Sequence, residues 1–309
     1  MTKEYFHGVR QFYLKEYGTA FHVEILTPTV SPADRVRHRA QDFTTQVTEA
    51  LRARPDVQIH IIAHSMGGLD ARWALAKGGL ADRTASLTTI GTPHHGTSVA
   101  NLAARFMPVL HPAGKALAWL YEHAQPLWIR RQGGEPVDPM EFLHRVLDGF
   151  RVSREQSERA VHDLTIEGMA RFNAELAESE YTIRTNRDRA VDYFAYGGDV
   201  QEALPEDRLQ AALLRPTHGM LKCRGSSGER TSANDGMVSV WSAHLPWDQA
   251  GAQYVGTIPF GHFLQVNWRF PDTRQEGTLS DALKSVYRDV MENIIKVEQR
   301  RTRREESRA

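Results

Sequence analysis

The stretch Val57-Gln58-Ile59-His60-Ile61-Ile62-Ala63-His64-Ser65-Met66-Gly67-Gly68-Leu69-Asp70-Ala71-Arg72 decides the fold. Val57 to Ala63 is a short, mostly apolar run, the composition of a strand buried on both faces. His64 to Gly68 makes a tight turn. Leu69 to Lys77 is built from good helix formers, and Gly78-Gly79 ends the helix. The turn matches the pattern G-x-S-x-G with Ala63 in the first place. Small residues are needed two positions before and after such a serine, because strand and helix backbones crowd there; Ala63 and Gly67 meet that need. The turn would lift Ser65 to the carboxyl end of the sheet, at a helix N-terminus. There the N–H of Met66 can face a developing oxyanion.

The flanks extend the same alternation. Phe21 to Leu26 alternates apolar and polar residues and predicts a strand. Ser31-Pro32-Ala33-Asp34 predicts a helix start, with Ser31 as N-cap and Pro32 in the first turn. Val36, Ala40, Phe43, Val47, Ala50 and Leu51 give that helix one apolar face. Leu87 to Ile90 is the next strand, closed by Gly91-Thr92-Pro93. Strand and helix in alternation imply right-handed βαβ units, hence an α/β protein with a mostly parallel sheet and helices on both faces.

From 97 to 189 the pattern is almost wholly helical, over Ala100–Val109, Lys115–Ile129, Pro139–Phe150 and Gly168–Glu178. Trp119, Leu127, Trp128, Phe142 and Phe150 make this region bulky and apolar. It reads as a helical cap or lid inserted into a core formed by 1–96 and 190–298. Strands return at Ala190–Tyr196, Met237–Val240 and Tyr254–Ile258, and Leu279 to Ile294 predicts a long terminal helix. Residues 299–309 are charged, without an apolar face, and read as a solvated, frayed tail.

Composition narrows the class. The 309 residues are 41% hydrophobic and 25% charged, enough apolar surface for a core and against wholesale disorder. Lys+Arg and Asp+Glu are both 38, so no basic excess exists to grip nucleic acid or anionic lipid. One cysteine, Cys223, excludes an intrachain disulfide and a thiolate metal cluster. Met1 to Ala20 has no continuous apolar core and is not a secretory signal as written. No uncharged stretch approaches the roughly 20 residues that span a bilayer. A cytoplasmic protein without stable membrane insertion is expected, and the sequence leaves its oligomeric state open. No P-loop, dinucleotide fingerprint or H-E-x-x-H motif is present, so no cofactor or metal is expected.

A serine nucleophile needs a base and an orienting acid, here in the order Ser, Asp/Glu, His. Asn234-Asp235-Gly236 precedes a strand-like segment, and Gly261-His262 follows one, so both fall in loops at the sheet's edge. Ser65, His262 and Asp235 are thus candidate nucleophile, base and acid. His94 and His95 precede any candidate acid and are expected to shape a pocket floor. Asp192 and Asp199 rank below Asp235.

These residues resemble the bacterial triacylglycerol lipases, serine esterases of the α/β-hydrolase superfamily. The resemblance rests on Ala63–Arg72, Gly91–Thr97, Gly168–Asn173, Asn234–Val238 and Gly261–Phe263. It implies an α/β-hydrolase fold with a mobile helical lid, an acyl-serine mechanism on lipid-like or other hydrophobic esters, and Met66 N–H as one oxyanion donor. Acyl transfer with the same triad is the alternative reaction. A catalytically silent hydrolase-like binding protein is the alternative class. The family often holds a structural calcium with an acidic ligand two residues after the catalytic histidine. That position is Leu264 here, followed by Gln265, so no calcium or only a weak site is expected. Phe6-His7-Gly8-Val9 looks like the family's oxyanion loop, which makes Val9 a fallback second donor. Glu4 to Val9 aligns better with the segment opening the family's first helix, so the chain as read lacks the preceding strand and oxyanion loop.

Overall fold

The computed structural model describes residues 5–105, 154–186, 190–200, 214, 217–219, 221, 233–247, 252–268 and 278–307. Four parallel strands run in the order β1-β2-β3-β4: Ile59–His64, Thr84–Ile90, Asp192–Gly198 and Ala252–Ile258. Parallel neighbours need crossovers, and the helix between β1 and β2, α3 (Met66–Ala76), is one. β2 is buried along all seven residues, the signature of a central strand covered on both faces.

Two apolar layers hold the sheet. On one face Ile90, Tyr196 and Ile258 pack with Val9, Phe12 and Tyr13 of α1 (Val9–Phe21) and with Leu283, Tyr287 and Val290 of α7 (Asp281–Glu306). On the other, Ile61, Ala63, Leu87, Tyr193 and Ala195 pack with Val47 and Leu51 of α2 (Val36–Leu51) and with Ala71, Ala74 and Leu75 of α3. Tyr193 and Ala195 face one layer and Tyr196 the other, the period of two that a strand imposes. α4 (Arg154–Asp163) and α5 (Ile166–Thr185) follow, and Met169, Phe172 and Leu176 pack against Leu69 of α3. The cap expected over 97–189 is described only at 97–105 and 154–186; Lys115–Ile129 and Pro139–Phe150 lie outside the described residues.

Several expectations are corrected. Phe21–Leu26 forms no strand. α1 runs through Phe21, His22 ends it in the left-handed region (φ 49°), and Leu26 is 52% exposed. An alternating pattern becomes a strand only when a neighbour pairs with it. The helix expected at Ser31–Pro32 begins at Val36, whose N–H is capped from afar by Asp163 Oδ2 at 3.0 Å. Met237–Val240 is not a strand either. Asp235 Oδ1 takes the N–H groups of Met237 (2.9 Å) and Val238 (2.7 Å), folding a turn. Ser239 then caps a single helical turn, α6 (Val240–Ala243). The frayed tail from 299 is instead helical to Glu306, and Arg300 pairs with Asp192 at 3.1 Å. Among the described residues, no helix is long and apolar enough to cross a membrane.

Candidate active site

Ser65 lies between the end of β1 and the first turn of α3, with φ 53° and ψ −132°. Among the described non-glycine residues it shares a positive φ only with His22 and Asn267. Such backbone costs about 1–3 kcal/mol and persists where surrounding structure holds it. Here Ser65 N–H bonds Ile90 O (3.0 Å) on β2, and Gly68 N–H bonds Ser65 O (3.1 Å). The need for small residues falls mainly on Gly68. A Cβ there would sit 2.2 Å from Thr92 Oγ1, whereas one on Gly67 would meet Ala63 Cβ at an ordinary 4.0 Å.

The structure brings Ser65, His262 and Asp235 into one line. His262 Nε2 is 2.9 Å from Ser65 Oγ, and His262 Nδ1 is 2.8 Å from Asp235 Oδ2. A carboxylate accepts, so Nδ1 carries the hydrogen; Nε2 of the neutral ring is bare and accepts from the serine hydroxyl. This is the tautomer a base needs. Asp235 is fully buried and takes four hydrogen bonds: Met237 and Val238 N–H on Oδ1, His262 and Gln265 on Oδ2. Four donors on one carboxylate satisfy its lone pairs and leave it little freedom to turn. Main-chain bonding between His262 N–H and Asp235 O (3.0 Å) ties the two loops together.

Gln265 escaped the sequence reading. It was visible only as the neighbour of Leu264, yet its Nε2 donates to Asp235 Oδ2 at 2.9 Å. Leu264 is 2% exposed and packs in the α1/α7 layer. Its side chain and the engaged Gln265 do not fit the calcium site that the resemblance would place there. Among the described residues, no group of three or more His, Cys, Asp or Glu could hold a metal.

The remaining expected positions differ in their placement, Met66 following Ser65 directly. Val9 starts α1 and donates its N–H to Phe6 O at 3.2 Å. Met66 opens α3, where the first N–H groups have no partner within their own helix. His94 is wholly buried: Arg72 Nη1 lies 3.2 Å from its Nδ1, and its Nε2 lies 3.1 Å from Thr89 Oγ1. Burial, then the adjacent Arg72 charge, hold this imidazole well below its usual pKa, so it serves as a neutral strut. His95 stacks on Trp241, with ring centroids 4.4 Å apart. Asp192 opens β3, at the end of the sheet opposite Ser65, and Asp199 follows β3 with its N–H on Ile258 O.

A parallel sheet with a strained serine at a strand–helix turn, facing a loop histidine and a buried aspartate, defines an α/β-hydrolase. In sequence the chain is similar to bacterial lipases. It is 27% identical over 272 residues to a triacylglycerol lipase of Pseudomonas fragi, covering 86% of this chain and 82% of that one. It is 24% identical over 250 residues to a triacylglycerol lipase of Vibrio cholerae, covering 78% and 68%. No family model matches. Among solved structures, Staphylococcus hyicus lipase superposes with a TM-score of 0.61 at 17% identity, covering 95% of this chain and 89% of that one. Lipase 1 from Pelosinus fermentans superposes at 0.52 and 17% identity, covering 93% and 92%; both likenesses speak to the fold.

Proposed function

We propose that this carboxylic ester hydrolase cleaves lipid-like esters through an acyl-Ser65 intermediate. The observation that carries the reading is the hydrogen-bonded line from Ser65 Oγ through His262 to buried Asp235. Ser65 Oγ attacks the acyl carbon while His262 Nε2 takes its proton. The tetrahedral oxyanion gathers charge beside the N-terminus of α3, where Met66 N–H donates to it. His262 then returns the proton to the leaving alkoxide, and the alcohol departs. Water, deprotonated by the same nitrogen, attacks the acyl-serine; the acyl C–Oγ bond breaks, His262 Nε2 returns that proton to Ser65 Oγ, and the carboxylic acid departs. Asp235 keeps the imidazole in its tautomer and stabilises the imidazolium.

Lipid-like substrates follow from the names of the two sequence relatives, both triacylglycerol lipases. The test is labelling with a fluorophosphonate, peptide mapping, and turnover of p-nitrophenyl esters. Label on Ser65, and loss of both label and turnover in Ser65→Ala, is the expected result. His262→Ala and Asp235→Asn each lower kcat by orders of magnitude, and the double variant falls little further, because the three groups act as a unit. Label on another serine, or turnover that survives Ser65→Ala, overturns the reading.

A further inference from the structure

Tyr5 is remote in sequence from every residue of the serine site, yet its hydroxyl lies 2.8 Å from His64 Nδ1. His64 Nε2 in turn lies 2.9 Å from the main-chain oxygen of His262. The direction of both bonds follows from the atoms. A carbonyl oxygen only accepts, so Nε2 carries the hydrogen. Burial, then the neighbouring His262, keep the His64 imidazole well below its usual pKa; the ring is neutral and Nδ1 is bare. Tyr5 must therefore be the donor. Burial raises its hydroxyl to about 12, so the proton stays in place across the working pH range. The His64 and His262 rings lie 4.6 Å apart.

The same N-terminal segment grips the loop after His262 at three more points. His7 N–H bonds Val266 O at 3.1 Å, Asn267 Nδ2 bonds His7 O at 3.0 Å, and Trp268 Nε1 bonds Tyr5 O at 2.9 Å. The Tyr5 ring packs edge-on against Phe6 and Trp268. Every one of these bonds fixes main chain or ring placement in the turn that carries His262.

We propose that Tyr5 and His64 are positioning residues for His262: a relay in which Tyr5 O–H locks the tautomer of His64, and His64 Nε2–H locks the main chain of His262. The proposal rests on His262 being the base of the ester hydrolase. Its physical basis is that Nε2 must serve Ser65 Oγ and the leaving oxygen in turn. A misplacement of about 1 Å can cost roughly a hundredfold in rate. The opposite His64 tautomer would set a bare nitrogen against a carbonyl oxygen, and that contact would be lost.

Three variants separate this role from packing. His64→Phe keeps an aromatic ring and removes the donor, His64→Gln keeps an amide donor, and Tyr5→Phe removes one oxygen atom. With p-nitrophenyl butyrate, His64→Phe is expected to lower kcat about 30- to 100-fold with KM within about twofold. His64→Gln restores most of that loss, and Tyr5→Phe lowers kcat about fivefold. Nitrogen-15 spectra of the imidazoles read the relay without any substrate. They should show His64 as one Nε2–H tautomer in the parent protein and as a mixture in Tyr5→Phe. The relay is overturned if His64→Phe keeps kcat within twofold, if His64→Gln is no better than His64→Phe, or if both His64 tautomers are populated in the parent. Should His64→Phe fail to fold, Tyr5→Phe decides the question in both assays. A parent protein without turnover, or turnover that survives Ser65→Ala, would overturn the hydrolase reading instead, and the tautomer spectra would still decide the relay's first bond.

Discussion

Arg72 on the helix behind the serine and Glu180 on α5 meet in a bidentate ion pair, Nε to Oε1 at 2.9 Å and Nη2 to Oε2 at 3.0 Å, with both side chains buried. Arg72 also donates to Asn173 Oδ1 (3.0 Å), and Asn173 Nδ2 donates to His94 O (2.9 Å). Its guanidinium lies over the rings of Phe172 and Trp247. One side chain thus joins the serine helix, the loop after β2 and the helical layer above them. Breaking one side of such a pair leaves a buried charge without its partner.

Glu180→Ala should therefore cost about 3–5 kcal/mol of stability, read from urea unfolding. Replacing both partners, Arg72→Met with Glu180→Leu, should cost far less than the sum of the two single changes. Additive losses in the double variant would show that the pair is not coupled.

Gln265→Leu keeps the buried volume but removes the amide that donates to Asp235 Oδ2. A hydrogen bond to a charged group is worth about 1.5–3 kcal/mol, so kcat/KM should fall roughly 10- to 100-fold. Steady-state kinetics beside a thermal melt check this. An unchanged rate would mean that His262 and the two main-chain donors suffice to hold Asp235.

Asp70 and Arg39 form a second buried pair, with Nη2 to Oδ2 at 2.7 Å. Burial raises the Asp70 carboxyl to about 6, against the opposing pull of Arg39. Between the ordinary carboxyl value near 4 and 6, the folded state then holds a proton that the unfolded state has released. Folding stability from this group must fall as pH rises through that window, by about 3 kcal/mol. Urea midpoints of the parent and of Asp70→Asn from pH 4 to 8 test the sign. The parent should lose stability relative to the variant between pH 4 and 6, and the difference should be flat above 7.

Chelation should leave the melting temperature within about 1 °C, because the side chain where a calcium ligand would stand is Leu264, packed in the core. A larger drop with EDTA, reversed by added calcium, would contradict this.

The sequence by itself determined what is local. Ile59–His64, Ser65 and Met66–Ala76 were legible as strand, turn and helix, because apolar runs and small turn residues act over a few neighbours. Ser280 was legible near the start of α7, and its hydroxyl accepts the Leu283 N–H there. Chain order singled out Asp235 and His262 among many acids and 14 histidines. Tertiary structure decided everything that depends on a distant partner. Phe21–Leu26 alternates like a strand, but among the described residues no strand pairs with it. Val36 starts its helix because Asp163 caps it across the fold. Gln265 reaches Asp235 and Tyr5 reaches His64 because the Asp235 and His262 loops and the N-terminal segment converge on the end of β1. Period and turn chemistry are written in neighbouring residues. Hydrogen-bond partners separated by tens to hundreds of residues exist only once the sheet has set which loops meet.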